Sequence, residues 1–235
     1  NNYVWFNKDE RGNKERWRII GLFNGQAKII RYDYYDDSFR FAPLQENYWA
    51  GSFVDVEFRE TYLPNIQTRD LISYNYIDLD HVWNLGALDV NADPYGGKLT
   101  DGTRSEYSIA ERGDLMPGGA QGSLTWEGAI ALMYASDYGY STTGSEEICG
   151  TNVLANWGNS GEVSVCKDNS WLYDKEYRQW ILNSDNDFSN YSYYIQGPAE
   201  TLGSLDLAYK HNYFSIYPTL YLEAGVKIAG GEGTS

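Results

Sequence analysis

Short apolar runs separated by polar turns set the rhythm of the chain. Tyr3-Val4-Trp5-Phe6 reads as a strand, followed by a charged turn from Asp9 to Lys14. Trp17 to Phe23 and Ala27 to Arg31 read as two more strands joined at Asn24-Gly25. Asn-Gly between β-branched runs is the strongest short-range hairpin signal. The basic and aromatic face of these strands reads as their solvated side. Residues 33–50 read as acidic, aromatic loop. From Ser52 to Leu63 the apolar positions fit neither period cleanly, and a short helix ending before Pro64 is expected because proline disfavours helix in the residue before it. Segment 65–123 is rich in turn residues, with a short buried strand expected at Val82-Trp83-Asn84-Leu85-Gly86. Leu124 to Tyr134 is the next ordered run, and Ala135 to Ser145 is turn-rich again. Trp171-Leu172-Tyr173 and Gln179-Trp180-Ile181-Leu182 flank a charged turn. Strands are expected at Tyr191–Ile195, Ile216–Leu222 and Val226–Ile228. No linker and no repeat at a period of about 20–50 residues is visible. This pattern predicts one compact α+β domain over residues 1–235, strand- and loop-rich, with one or two short helices.

Composition narrows the picture. Aromatic residues make up 16% of the 235, enough apolar area to exclude a disordered chain. A formal charge of −15 disfavours non-specific binding to nucleic acid or anionic lipid. No apolar run approaches the roughly 18 residues a membrane helix needs. Cys149 and Cys166 lie outside any CxxC pattern and have no histidine near in sequence to complete a zinc site. A disulfide between them is expected to stabilise the fold by about 3 kcal/mol, two separate free thiols being the alternative. An extracytoplasmic location follows as the expectation. The start at Asn1-Asn2-Tyr3 reads as a cut ectodomain whose signal or anchor helix has been removed.

Several strings, in order, carry a resemblance. They include Tyr3-Val4-Trp5-Phe6-Asn7, Trp17-Arg18-Ile19-Ile20-Gly21, Lys28-Ile29-Ile30-Arg31, Val82-Trp83-Asn84-Leu85-Gly86 and Glu111-Arg112-Gly113. Trp126-Glu127-Gly128, Ser136-Asp137-Tyr138-Gly139-Tyr140, Cys166-Lys167-Asp168-Asn169, Gln179-Trp180 and Leu220-Tyr221-Leu222 continue it. Together they resemble prepilin-type, pilin-like surface proteins of gut-dwelling Gram-positive bacteria, across nearly the whole chain. The resemblance implies an extracellular, cell-surface domain preceded by an N-terminal apolar helix, which would be its sole membrane attachment. In that family an arginine usually precedes the proline of the C-terminal strand; here Tyr217 stands before Pro218. Ala135 likewise stands where the family tends to have proline. A more distant likeness, by architecture alone, is to C-type-lectin-like domains with paired terminal strands.

The candidate chemistry is recognition. Residues 183–215 are dominated by Asn, Ser, Asp and Tyr, an alphabet that gives large rigid contacts and adaptable hydrogen bonds. Tyr191, Tyr193, Tyr194, Tyr209, Asn212 and Tyr213 are the expected ligand contacts, with Tyr191, Tyr193, Tyr209 and Tyr213 exposed side by side. An ordinary alternating strand with polar loops is the competing reading. The expected function is non-enzymatic, adhesin-type binding of a host or bacterial surface glycan or protein, without nucleic acid and without a cofactor. The alternative is a structural subunit that self-assembles into a pilus or other filament. A third reading, a glycoside hydrolase, requires two buried carboxylates across a cleft. Asn183-x-Asp185-x-Asp187 begins like an EF-hand, but Phe188 and Tyr194 stand where glycine and glutamate are needed. A looser calcium site would draw on Asp78, Asp80 or the Asp33, Asp36 and Asp37 cluster; solvated acidic loops are the expectation, and no metal is assigned. Arg112-Gly113-Asp114 and the sequon Asn190-Tyr191-Ser192 read as chance matches. His81 and His211 lie in no metal or nucleophile motif.

Overall fold

Asn24 and Gly25 adopt left-handed backbone, φ 51° and 84°, the two-residue turn whose twist matches that of paired strands. They join β2 (Lys14–Phe23) to β3 (Gln26–Arg31), and β1 (Tyr3–Lys8) completes an antiparallel meander. These strands belong to a computed structural model that describes residues 2–42, 49–85, 103–112, 125–159, 161–173, 176–184, 191–197, 205–209 and 211–227.

Other elements depart from the sequence pattern for identifiable reasons. The expected loop at 33–50 contains β4 (Asp36–Arg40), which pairs antiparallel with β11 (Tyr213–Ile216) and sets Phe39 opposite Phe214. Its partner is remote in sequence, so local composition could not announce it. The helix expected to stop before Pro64 continues through it. α1 (Phe53–Glu57), capped by the Ser52 hydroxyl accepting from the Asp55 N–H, passes into a π-helical turn at Phe58–Tyr62 and then into α2 (Leu63–Arg69). The N–H of Leu63 reaches back to the carbonyl of Phe58, which resets the register directly before the proline. Pro64 then falls in the first turn of α2, where its missing N–H costs nothing.

The described residues also include α3 (Leu71–Tyr74), α4 (Arg104–Arg112), α5 (Ala135–Gly139), α6 (Glu146–Thr151) and α7 (Ser164–Asp168). All are short, but they outnumber the one or two expected. A capping signal at Thr103-Arg104-Ser105-Glu106 marks α4: the Glu106 carboxylate accepts the Thr103 N–H at 2.6 Å.

Ile216–Leu222 is not one strand. Pro218 has no N–H to give a ladder, so β11 ends before it and β12 (Thr219–Tyr221) begins after it in a different sheet. The Pro218 carbonyl accepts the Arg31 N–H at 2.9 Å. Val226 and Lys227 are not in a strand, and Ile228 lies outside the described residues.

With β5 (Val82–Asn84), β6 (Thr125–Glu127), β7 (Ile130–Ala131), β8 (Gln179–Ser184), β9 (Tyr191–Ile195) and β10 (Leu205–Tyr209), the strands form three sheets, and the chain is a strand-rich α+β domain. The first runs β1-β2-β3-β12-β7, the second β10-β9-β8-β11-β4, and β5 pairs with β6. The terminal strands share the first sheet without being neighbours. The tight meander occupies both edges of β2, so β12 adds to the free edge of β3.

Two cores fill the interior. One gathers Trp17, Trp49, Phe58, Trp83 and Trp180 in edge-to-face and tilted ring contacts. The other packs Met133, Tyr138, Leu154 and Trp157 around the disulfide between Cys149 on α6 and Cys166 on α7. Both cysteines are fully buried.

Candidate functional site

β2 turns Trp17 into the core, so Arg16 and Arg18 project from its opposite face. There they meet rings instead of open solvent. The Arg16 guanidinium lies 3.5 Å from the Tyr32 ring centre, and that of Arg18 lies 4.3 Å from Tyr3 and 4.8 Å from Trp171. Arg18 also donates through Nη1 to the Trp171 carbonyl. Burial pulls the Arg18 pKa below its usual value, partly offset by Tyr3 and Tyr32. The basic and aromatic face read as merely solvated is therefore one wall of a built surface.

That wall borders an open cleft of about 350 Å³. Three further segments line it: Ile30 to Tyr34 leaving β3, Trp171 to Tyr173 after α7, and Glu176, Tyr177 and Gln179 at the entry to β8. Arg31 is held by the Tyr34 carbonyl, 2.8 Å from its Nη1, and by Glu15, 3.2 Å from Nη2. Gln179 is held by the Leu172 carbonyl at 3.0 Å. Tyr34 and Tyr177 meet edge to face at 4.7 Å, and the hydrogen bond between their hydroxyls pushes Tyr177 up to about 12. Tyr217, where the pilin-like resemblance expects arginine, also lines this cleft. The Nε atoms of Arg18 and Arg31 are buried without a hydrogen-bond partner. Asp33 and Glu176 are exposed on the rim, not set as a buried pair. Planar rings, fixed guanidinium donors and rim carboxylates around one open cleft suit a ligand with both apolar faces and a hydroxyl-rich edge.

The residues expected to bind from sequence are divided. Tyr193 and Tyr194 are buried, at 2% and 5% exposure, which corrects the expectation of a continuous exposed tyrosine face. β9 lies inside its sheet with both faces covered, so alternation sends Tyr194 toward Trp180 and Phe214 and Tyr193 into the disulfide core. Tyr209 and Tyr213 are exposed, the first stacked with His211 and the second under Arg40 at 4.8 Å. Asn212 is half-buried, and its N–H donates to the Tyr209 carbonyl. The Tyr191 side chain, Asp185, Asp187, Gly113 and Asp114 lie outside what is described. Among the described residues no three His, Cys, Asp or Glu side chains are grouped to hold a metal.

A second polar centre was missed in the sequence. Lys28, in the middle of β3, is wholly buried and paired with the equally buried Asp137 of α5. Its Nζ lies 4.0 Å from the Tyr134 ring centre and 5.4 Å from those of Trp83 and Tyr221. Asp137 also accepts the Tyr134 N–H at 2.8 Å, closing the first turn of α5. Beside this centre, His81 stacks on Tyr221 with ring centres 3.7 Å apart and meets Asp78 at 2.9 Å, while Gln26 donates to the same Asp78 oxygen at 2.6 Å.

Burial lowers the His81 pKa below 6.5, with the Lys28 charge acting in the same direction and Asp78 opposing both. Folded His81 therefore takes up its proton less readily than the unfolded chain. Its contribution is complete above about pH 6.5 and is lost as pH falls through the folded pKa. The stability difference between the wild type and His81→Gln is expected to shrink on going from about pH 7.5 to about pH 5.5; denaturant melts at both values read it directly.

Comparison of the chain with models of known protein families, with curated proteins and with solved structures gives no match.

Proposed function

We propose that this domain is a non-enzymatic recognition module of a cell-surface protein, binding a saccharide in the cleft between β2, the Tyr32–Tyr34 segment and Trp171. One observation carries this reading: six aromatic residues and two anchored arginines from separate segments converge on one open cavity. A sugar offers C–H faces that pack on Tyr and Trp rings and hydroxyls that accept from Arg and donate to rim carboxylates. Tyr34 and Tyr177 brace each other and Arg18 braces Trp171, so little ordering is needed when a ligand arrives.

A glycan array followed by titration calorimetry tests the proposal. Binding should quench or shift the fluorescence of Trp171, and Trp171→Ala should weaken it about tenfold, as expected for losing one stacking contact of about 1.4 kcal/mol. Tyr213→Ala, in the exposed region favoured by sequence composition, should leave affinity unchanged. An array without a hit, or a loss confined to Tyr213→Ala, would move the function away from the cleft.

A further inference from the structure

Arg16 and Arg18 project from the same face of β2 onto one pair of rings. Tyr3 and Tyr32 meet edge to face at 5.3 Å, with the Arg16 guanidinium 3.5 Å from the Tyr32 ring centre and that of Arg18 4.3 Å from Tyr3. Among the described residues neither cation belongs to an ion pair. Arg31, the other arginine of the cleft, is already matched by the buried Glu15. We infer that the cleft selects an acidic saccharide, one whose single carboxylate docks on the Arg18 guanidinium. This inference rests on the saccharide reading above and narrows it to a ligand class.

Burial makes the missing partner costly. Arg18 is half-buried against Tyr3 and Trp171, and that burial, with the like charge of Arg16 adding to it, pulls its pKa down. Burial also raises the Tyr3 pKa, so this phenol stays neutral and supplies no counter-charge. A sugar hydroxyl accepts a hydrogen bond from Arg18 but leaves its charge unmatched. A carboxylate removes the imbalance, through charge-assisted bonds about twice as strong as neutral ones. Arg18 Nη1 is committed to the Trp171 carbonyl, which fixes the guanidinium beside the indole. An acid group on a sugar stacked against Trp171 therefore meets a donor that is already oriented. The protein's own charge limits the ligand further. With a formal charge of −15 and Asp33 and Glu176 exposed on the rim, a polyanion is repelled, so one acid group on an otherwise neutral glycan fits.

Calorimetric titration with glucuronic acid, galacturonic acid and N-acetylneuraminic acid, each beside its uncharged amide, tests this directly. At least one acid should bind about tenfold more tightly than its amide, as expected for one charge-assisted contact. In Arg18→Gln that acid and its amide should bind alike. Sugars that bind the wild type with no gain of acid over amide, and more weakly in Trp171→Ala, overturn the inference and leave the saccharide cleft standing. A preference that survives Arg18→Gln also overturns it, because the carboxylate then docks elsewhere. So does tighter binding of heparin, a sulfated polyanion, than of any acid. No binding by any sugar overturns the inference and the saccharide reading together. Because the wild-type ratio of acid to amide is decisive, the inference stays testable even if Arg18→Gln fails to fold.

Discussion

Lys28→Ala is expected to destabilise the protein by about 3–5 kcal/mol, the largest loss we anticipate from a single polar substitution. The reason is asymmetry. Lys28 and Asp137 are both fully buried, and removing the lysine takes a cation away from a carboxylate that has no access to solvent. The same change deletes a long side chain from the centre of β3 and its contacts with Tyr134, Trp83 and Tyr221. Denaturant unfolding followed by tryptophan fluorescence measures the loss, since Trp83 reports on the site. The paired replacement K28M/D137N removes both charges while keeping an acceptor for the Tyr134 N–H. It should recover the share of the loss caused by an unmatched charge; the remainder measures what the link between β3 and α5 contributes. A Lys28→Ala protein as stable as the wild type would show that the pair does little for the fold.

Converting Cys149 and Cys166 to alanine together is expected to cost about 3 kcal/mol, mostly by releasing the loop in the unfolded chain. The bond spans 17 positions and joins α6 to α7, and its burial beside Leu154 and Trp157 adds a packing loss. The double variant is the cleaner test than reductant, because sulfurs without solvent exposure react slowly with an external thiol. Equal urea midpoints for variant and wild type would contradict this assignment. Lost stability with an unchanged response to a cleft ligand would place the disulfide in the scaffold and not in recognition.

The two substitutions probe different parts of the molecule. The ion pair lies where the aromatic core meets the disulfide core, whereas the disulfide organises a local helical excursion. The cleft stands on the outer face of β2, with Arg18 leaning on Trp171 from the segment that follows α7. Loosening that excursion should therefore blur one wall of the cleft before it unfolds the sheet.

Local chemistry made much of the framework legible. Asn24-Gly25 announced its hairpin because few turns other than this one accept two consecutive residues of positive φ. The strand expected at Val82-Trp83-Asn84-Leu85-Gly86 is present, shorter, at Val82–Asn84, and the disulfide expected between Cys149 and Cys166 is formed. Three kinds of information were not. β4 and the split of β11 from β12 depend on partners far along the chain, so no window of neighbours contains them. The burial of Tyr193 and Tyr194 depends on β9 being covered on both faces, which composition cannot reveal, and a tyrosine-rich strand looks the same inside or out. Lys28 read as a polar position on a strand, and only the approach of Asp137 and three rings makes it a buried centre.

Sequence alone therefore made legible the Asn24-Gly25 turn, the disulfide expected between Cys149 and Cys166, the net negative charge and the strand-rich class, because each follows from neighbouring residues or from counts. Tertiary structure decided which aromatic residues face solvent and which converge. Arg18, Tyr34, Trp171, Tyr177 and Tyr217 become one cleft only after distant segments pack. Binding surfaces are set by that convergence in space, and distance along the chain says little about distance across a folded core.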